Sequence, residues 1–243
     1  LLEWVGVSAV KHSSRRVGGV WRRGARGVIV TSGSIGATHD LGRQNWPARL
    51  GTAPKSMITG VPAHVDGRML AITEKAGGRI VNPDRMWHYT EGLRNYDPIW
   101  PGHGIRILPG PSSMWFDAKG TRLPSPLFPG SDTLGQLQYI MGTGYDYSWF
   151  VLTHSIIKKE FALSGSEQNP DLTSKSWRMT IKRATNKGAP APVEAFKAKG
   201  ADFIVRTNLP DLVEAMNVLV GSKLLKLDDI KRHIGGMGES PAV

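Results

Sequence analysis

The first strong hydrophobic pattern in this chain is a short apolar run that ends in small residues. Val28, Ile29 and Val30 are consecutive and β-branched, and the segment 31–36 (TSGSIG) follows them directly. Such a run is typical of a buried strand, and small residues after it let a ligand approach the backbone. On these residues alone, the pattern favours a buried strand followed by an ordinary glycine turn. A ligand-facing turn is the alternative, and the motifs further along the chain favour it.

The rest of the first half predicts few long elements. Apolar and polar positions alternate over residues 1–30, which predicts hairpin strands leading into the strand at 28–30. Residues 40–62 contain three prolines and are predicted to form a loop. Seven prolines between residues 96 and 129 exclude long regular elements there.

One helix stands out in the first half of the chain. Asp66 is a predicted N-cap, and the following apolar residues share one helical face up to the Gly77-Gly78 pair, which ends the helix. That face carries Met69, Ile72 and Ala76. A short strand is predicted over 79–81.

The second half shows a strand and two helices. Residues 149–152 (WFVL) predict a strand, and 156–161 predict the helix after it. Asn208 is the predicted N-cap of a later helix. The apolar positions of that helix fit a helical period and are Leu209, Leu212, Val213 and Met216.

Composition narrows the class of protein. The chain has 243 residues and no cysteine, and no run approaches the ~18 consecutive apolar residues of a membrane span. The lack of cysteine excludes disulfides and thiolate chemistry and fits a reducing compartment, so a cytoplasmic location is predicted. His64 and His103 have no second ligand at metal-binding spacing, so no metal site is predicted.

The net charge of +11 is concentrated at the start of the chain. In residues 1–30, six lysine and arginine side chains face one glutamate. A non-catalytic module that binds phosphates or nucleic acid is therefore the alternative function to keep in view. The segment lacks the interleaved aromatic residues of a single-strand platform, which makes nucleic acid the weaker expectation.

The order of several motifs resembles the FAD-dependent oxidoreductases of the fumarate reductase and succinate dehydrogenase flavoprotein superfamily. The matching stretches are VIVTSGSIG at 28–36, DGRM at 66–69, DRMWH at 84–88, MWFDAKGTRL at 114–123 and ADFIVRTNLPDLVEAM at 201–216. The stretches GVPAHVDGRML, RILPGPSSMWFDAKG and FALSGSEQNPDLT look most similar to actinobacterial FAD-binding dehydrogenases related to 3-ketosteroid dehydrogenases. The dinucleotide fingerprint of that superfamily is absent, so the chain is expected to be a central fragment.

The resemblance implies a fold and an activity. The expected fold class is α/β (mixed α+β), with part of a Rossmann-like FAD-binding domain over 1–100 and an α+β capping domain over 101–243. The expected activity is hydride transfer between FAD and a hydrophobic, steroid-like ketone or enone. Dicarboxylate reduction is not expected, because 123–127 (LPSPL) stands where a fumarate reductase carries glutamate and arginine. The expected partners are FAD, this substrate and the missing parts of the same polypeptide.

The resemblance also implies the site residues. The residues expected to contact FAD are Thr31, Ser32, Gly33, Ser34, Gly36, Asp66 and Gly67. His88 is the first catalytic candidate, with a hydrogen-bonded structural histidine as its alternative. Tyr145 and Tyr147 are further candidates, although their alternation before Trp149 equally fits packing along a strand. Ser34 replaces a glycine of the family's turn, so a positive φ there would introduce strain of roughly 1 kcal/mol.

Overall fold

The computed structural model of this chain describes residues 29–86, 88–165, 168–169, 177–178, 181 and 188–235. Helices and strands alternate irregularly along these ranges, which makes the fold class mixed α+β. The strands are β1 Gly92–Arg94, β2 Gly104–Leu108, β3 Met114–Asp117, β4 Ser148–Val151 and β5 Ala162–Leu163. The helices are α1 His39–Gln44, α2 Arg68–Lys75, α3 Thr133–Gly142, α4 His154–Lys159, α5 Ala191–Lys199, α6 Leu209–Val220 and α7 Leu227–Gly235.

The named strands form two antiparallel sheets. The first has the order β1-β2-β5, and the second pairs β3 with β4. A core cluster joins β1, β2 and β5 to α4 and α5 through Leu93, Ile105, Ile157, Val193 and Phe196, among others. In the described ranges, no helix is both long and apolar enough to span a membrane.

Strand β3 is buried on both faces, and its side chains alternate between two clusters. Met114 and Phe116 pack with residues of α6 and α7, including Met216 and Ile230. Trp115 points the other way and stacks on Phe150 of β4, with ring centroids 4.6 Å apart. The period of two along a strand produces this division. The β3-β4 sheet is therefore the central layer of the second half.

The predicted helix α6 is confirmed. The side chain of Asn208 accepts a hydrogen bond from the backbone N–H of Asp211 at 2.9 Å, which caps the helix. Val213 and Met216 are buried, as the helical period predicted. The predicted strand over 149–152 and the helix after it are also confirmed within a few residues, as β4 and α4.

Other predictions in the first half are wrong. Ile29 and Val30 belong to no strand, because none of the described strands pairs with them. Their exposed fractions are 89% and 50%. Residues 79–81 are irregular for the same reason. The predicted loop at 40–62 instead contains the end of α1 and a 3₁₀ helix over Ala48–Leu50. Val28 and the predicted hairpins upstream lie outside the described residues.

Helix α2 also differs from its prediction. Its N-cap is Gly67, and Asp66 lies one residue earlier, where its carboxylate accepts a bond from the backbone N–H of Arg68 at 3.1 Å. No residue of α2 is buried, and Ile72 is 50% exposed. The predicted apolar face therefore has no covering layer in the described part of the chain. Gly77, with φ 88°, follows the end of the helix as predicted.

Candidate functional site

Two turns from distant parts of the sequence form a cleft of about 210 Å³, named here the glycine cleft. Ser32, Gly33 and Ser34 line one side, and Asp66 and Gly67 line the other. The remaining lining residues are Val30, His64, Arg68, Met69, Leu70, Thr73 and Ile80. The cleft thus combines polar backbone with an apolar wall, which is the usual make-up of a small-molecule site.

Hydrogen bonds hold the two turns together. The backbone N–H of Ala37 donates to the carbonyl oxygen of Val65 at 3.0 Å. The hydroxyl of Thr38 donates to the carbonyl oxygen of Asp66 at the same distance of 3.0 Å. These contacts fix the 32–38 turn against the 64–68 turn, so the cleft has a defined shape.

Glycine is required where these turns meet. Gly67 has φ 80°, and a Cβ atom there would lie 2.7 Å from Leu41 Cδ2 and 2.8 Å from Ile35 Cγ2. Gly33 has φ 94°, and its Cβ would lie 3.1 Å from Val65 Cγ1. Both positions combine a left-handed backbone with close approach, which only glycine accommodates without strain. Ser34 has no positive φ, so the strain considered for that substitution does not arise.

The charged groups of the cleft neutralise each other. Asp66 and Arg68 form an ion pair, with Nη2 of Arg68 2.6 Å from Oδ2 of Asp66. The hydrogen bonds from Arg68 lower the pKa of Asp66 to about 2. Asp66 is therefore a carboxylate at neutral pH, and it can still accept a hydrogen bond from a ligand hydroxyl.

Most of the predicted cofactor residues come together in this cleft. Ser32, Gly33, Ser34, Asp66 and Gly67 line it. Thr31 and Gly36 do not. A Cβ atom on Gly36 would lie 2.8 Å from Val61 Cγ2, so Gly36 supports the turn from behind.

His64 and Arg68 also line the glycine cleft, and sequence reasoning gave them no role in cofactor binding. The only sequence feature that points to these two residues is their position within two residues of Asp66.

The catalytic candidate His88 lies elsewhere, beside Trp46. The two ring centroids are 5.9 Å apart. Both ring nitrogens of His88 are buried and have no hydrogen-bond partner among the described residues. Burial, together with the positive charge of Arg49, lowers the pKa of His88. A neutral imidazole with a free lone pair can act as a base.

Tyr145 and Tyr147 lie just before β4 and form a row of edge-on rings with Trp149. The ring centroids are 6.0 Å apart between the two tyrosines and 5.6 Å apart between Tyr147 and Trp149. Burial raises the pKa of Tyr147. Within the described chain, no hydrogen bond or ring contact joins either tyrosine to His88. The structure therefore does not assemble the three catalytic candidates into one cluster.

His103 has a structural environment. Its Nδ1 accepts a hydrogen bond from the backbone N–H of Ile99 at 3.2 Å and lies 3.0 Å from Nδ2 of Asn95. Its ring lies against Trp100, with centroids 3.8 Å apart and the ring planes tilted by 31°. In the ranges that the structure describes, no group of three histidine or carboxylate side chains could hold a metal ion.

The glycine cleft fits one part of FAD. Ligand sites usually enclose about 300–1,000 Å³, and FAD is a large ligand, so a cleft of about 210 Å³ holds only a portion of it. Glycine backbone, two serine hydroxyls and a carboxylate suit the polar groups of a dinucleotide. A side chain at Gly33 or Gly67 would collide with Val65 or with Ile35 and Leu41, and it would disturb the packing that shapes the cleft.

Comparison with known proteins identifies the family of the chain. Residues 4–240 match the sequence model of a family described as FAD binding domain. Over 207 residues, 85% of this chain, the chain is 61% identical to a KsdD-like steroid dehydrogenase of Mycolicibacterium smegmatis. It is 58% identical over the same share to a KsdD-like steroid dehydrogenase of Mycobacterium tuberculosis strain H37Rv. No solved structure matches the chain.

The matched region covers 38% and 37% of those two relatives, so the chain spans little more than a third of their length. The family match confirms the flavoprotein resemblance that the motifs indicated, and with it FAD as the cofactor of this family. The chain belongs to the FAD binding domain family.

Proposed function

We propose that this chain is part of a flavin-dependent dehydrogenase that acts on a hydrophobic, steroid-like ketone. The observation that carries the proposal is the glycine cleft, where five residues expected from motifs to contact FAD line one site. The similar proteins are called KsdD-like steroid dehydrogenases, which supports a steroid-like substrate.

The proposed architecture is a partial Rossmann-like FAD-binding domain over 1–100 and a capping domain over 101–243. The β1-β2 hairpin connects residues on both sides of this boundary, so its position remains a prediction. A cytoplasmic location also remains a prediction.

In this proposal, the residues of the glycine cleft hold the cofactor. Gly33 and Gly67 let the two turns that line the cleft pack closely against each other, and the hydroxyls of Ser32 and Ser34 supply hydrogen bonds to the cofactor. The Asp66 carboxylate accepts a hydrogen bond from a cofactor hydroxyl while Arg68 keeps it ionised. When bound, FAD supplies the acceptor for a hydride.

The reaction converts a carbon–carbon single bond beside a carbonyl into a double bond. The substrate loses a proton from the carbon next to the carbonyl and a hydride from the neighbouring carbon. His88 accepts the proton, because its imidazole is neutral and its ring nitrogens have no partner among the described residues. Tyr145 and Tyr147 remain candidates for proton transfer elsewhere on the substrate.

The segment after β3 supports an apolar substrate. Leu123 is buried, and the chain continues through prolines to Phe128, which is 56% exposed. Gln136, which is fully buried, donates to the carbonyl oxygen of Phe128 at 2.7 Å and to the hydroxyl of Ser131 at 3.0 Å. Residues 123–131 therefore present an aromatic side chain from a fixed backbone and contain no basic side chain that would bind a diacid.

A rate measurement tests the role of His88. The variant is His88→Ala in the protein expressed with all flanking sequence that its gene encodes. We expect FAD to remain bound and anaerobic reduction of the flavin by a 3-ketosteroid to slow by about 10²-fold or more. His154→Ala is the matched control, since His154 is exposed at the start of α4. An unchanged rate in His88→Ala would remove this residue from the reaction.

The alternative, a basic phosphate- or nucleic-acid-binding module, depends on a segment outside the described residues. No described feature favours it over the flavoenzyme.

A further inference from the structure

Arg68 donates hydrogen bonds to both oxygens of the Asp66 carboxylate at the glycine cleft. Its Nε lies 3.0 Å from Oδ1 and 2.9 Å from Oδ2, and its Nη2 lies 2.6 Å from Oδ2. The backbone N–H of Arg68 donates to Oδ1 at 3.1 Å. A planar guanidinium that contacts both oxygens fixes the plane of a carboxylate, which a point charge does not do. The Asp66 side chain is therefore held in one orientation.

Both side chains of this pair are accessible from the glycine cleft. Asp66 and Arg68 line it, and their side chains are 25% and 56% exposed. A carboxylate has about four acceptor positions, and three N–H groups of Arg68 contact this one. An acceptor position on Asp66 therefore remains for a group that enters the cleft.

The charge and the hydrogen-bonding capacity of the cleft define the group that fits. The contacts with Arg68 lower the pKa of Asp66 to about 2, so at neutral pH the carboxylate only accepts hydrogen bonds. A phosphate group would bring a second negative charge against this carboxylate, whereas a hydroxyl donates to it without repulsion. The hydroxyls of Ser32 and Ser34 line the same cleft, and they donate and accept. A hydroxylated part of FAD, the ribityl chain or the adenosine ribose, has the matching chemistry.

We propose that Arg68 is a positioning residue that holds the Asp66 carboxylate for a sugar-type hydroxyl group of FAD in the glycine cleft. This proposal rests on the proposed function and adds two things to it, the residue that orients the acceptor and the kind of group that is bound. Arg68 acts through Asp66. A lysine at this position would keep the positive charge but would not contact both carboxylate oxygens in one plane, so it would replace arginine only in part.

Affinities for FAD and for two analogues test the proposal. One analogue has an alkyl chain without hydroxyls in place of the ribityl chain, and the other has 2′,3′-dideoxyadenosine in place of adenosine. The protein, expressed with all flanking sequence that its gene encodes and freed of flavin, is titrated with each compound. We expect Arg68→Gln to bind FAD about tenfold more weakly, because the Asp66 carboxylate is no longer held. We expect no loss for one analogue, and that analogue shows whether Asp66 binds the ribityl chain or the ribose.

Two further variants control for charge and for folding. Arg79→Gln makes the same change at an exposed arginine that does not line the cleft, and it should bind FAD as the unchanged protein does. Arg68→Lys should fall between the unchanged protein and Arg68→Gln, whereas full rescue by lysine would overturn the positioning role. The same loss for FAD and both analogues in Arg68→Gln would mean that Arg68 only supports the fold, and the proposal would be wrong. An unchanged affinity for FAD would also overturn it.

A second measurement separates this proposal from the proposed function. If the unchanged protein bound no FAD, the proposed function would be wrong, and the hydroxyl site would be decided with a simple polyol. Protein labelled for NMR at its aspartate carboxyl carbons is titrated at constant pH with ribitol and, separately, with inorganic phosphate. We expect the Asp66 signal, assigned with Asp66→Asn, to shift with ribitol only, and to shift less in Arg68→Gln. No shift with ribitol, or the same shift with phosphate, would overturn the hydroxyl site.

Discussion

Gly67 lies where the chain turns with φ 80° between the Asp66 carboxylate and the start of α2. Its missing side chain lets this turn contact Ile35 of the other turn and Leu41 of α1. At the residue scale, the shape of the cleft depends on the absence of a Cβ atom at Gly67. A methyl group at Gly67 would separate the two turns that the cofactor is proposed to contact.

Gly67→Ala is therefore expected to destabilise the protein by about 1–3 kcal/mol and to weaken FAD binding. Gly77→Ala is the matched control, because Gly77 has φ 88° and open space around its Cβ position. Urea unfolding and fluorescence titration with FAD measure the two effects. Equal losses in both variants would show that the contact with Leu41 and Ile35 is unimportant.

His88 predicts a pH dependence of stability. Burial lowers the pKa of His88 in the folded protein, so the unfolded chain binds its proton more readily. The contribution of His88 to the free energy of unfolding is therefore fully present above the ordinary histidine pKa of 6.5. It is lost as the pH drops through and below that value. His88→Gln removes this contribution, so its stability should depend less on pH over that window. The same slope in both proteins would contradict the burial of a neutral imidazole.

At the scale of helices and strands, the elements predicted best are those whose own sequence carries the signals that form them. Helix α6 carries its own cap at Asn208 and its own apolar face, so its prediction needed no partner. Strands depend on neighbours that a single segment does not show, which is why the strands predicted at 29–30 and 79–81 are absent. The proposed site residues were likewise predicted only where their own sequence segment carried a signal. Asp66 and Gly67 were found through a motif, whereas the role proposed for Arg68 depends on contacts in the folded turn, which gave no signal.

The cap of α6 provides a stability test. Asn208→Ala leaves the backbone N–H of Asp211 without its side-chain acceptor, and we expect a loss of about 1 kcal/mol in the free energy of unfolding. Asn208→Ser should retain most of the stability, because serine is also a good N-cap. If alanine and serine gave the same result, the cap would not contribute to the stability of this helix.

At the scale of the whole molecule, the chain contains part of the proposed cofactor site and the residues proposed to contact a substrate. The glycine cleft of about 210 Å³ is too small for all of FAD, and the chain spans 37–38% of the relatives it matches. Helix α2 also has no buried residue. Full cofactor binding and turnover are therefore proposed for the protein expressed with all of its flanking coding sequence.

The absorption spectrum of that protein shows whether the chain is part of a flavoenzyme. We predict a yellow protein whose flavin band bleaches when a 3-ketosteroid is added without oxygen, since hydride transfer reduces the flavin. A folded protein that purifies colourless and takes up no FAD would contradict the account.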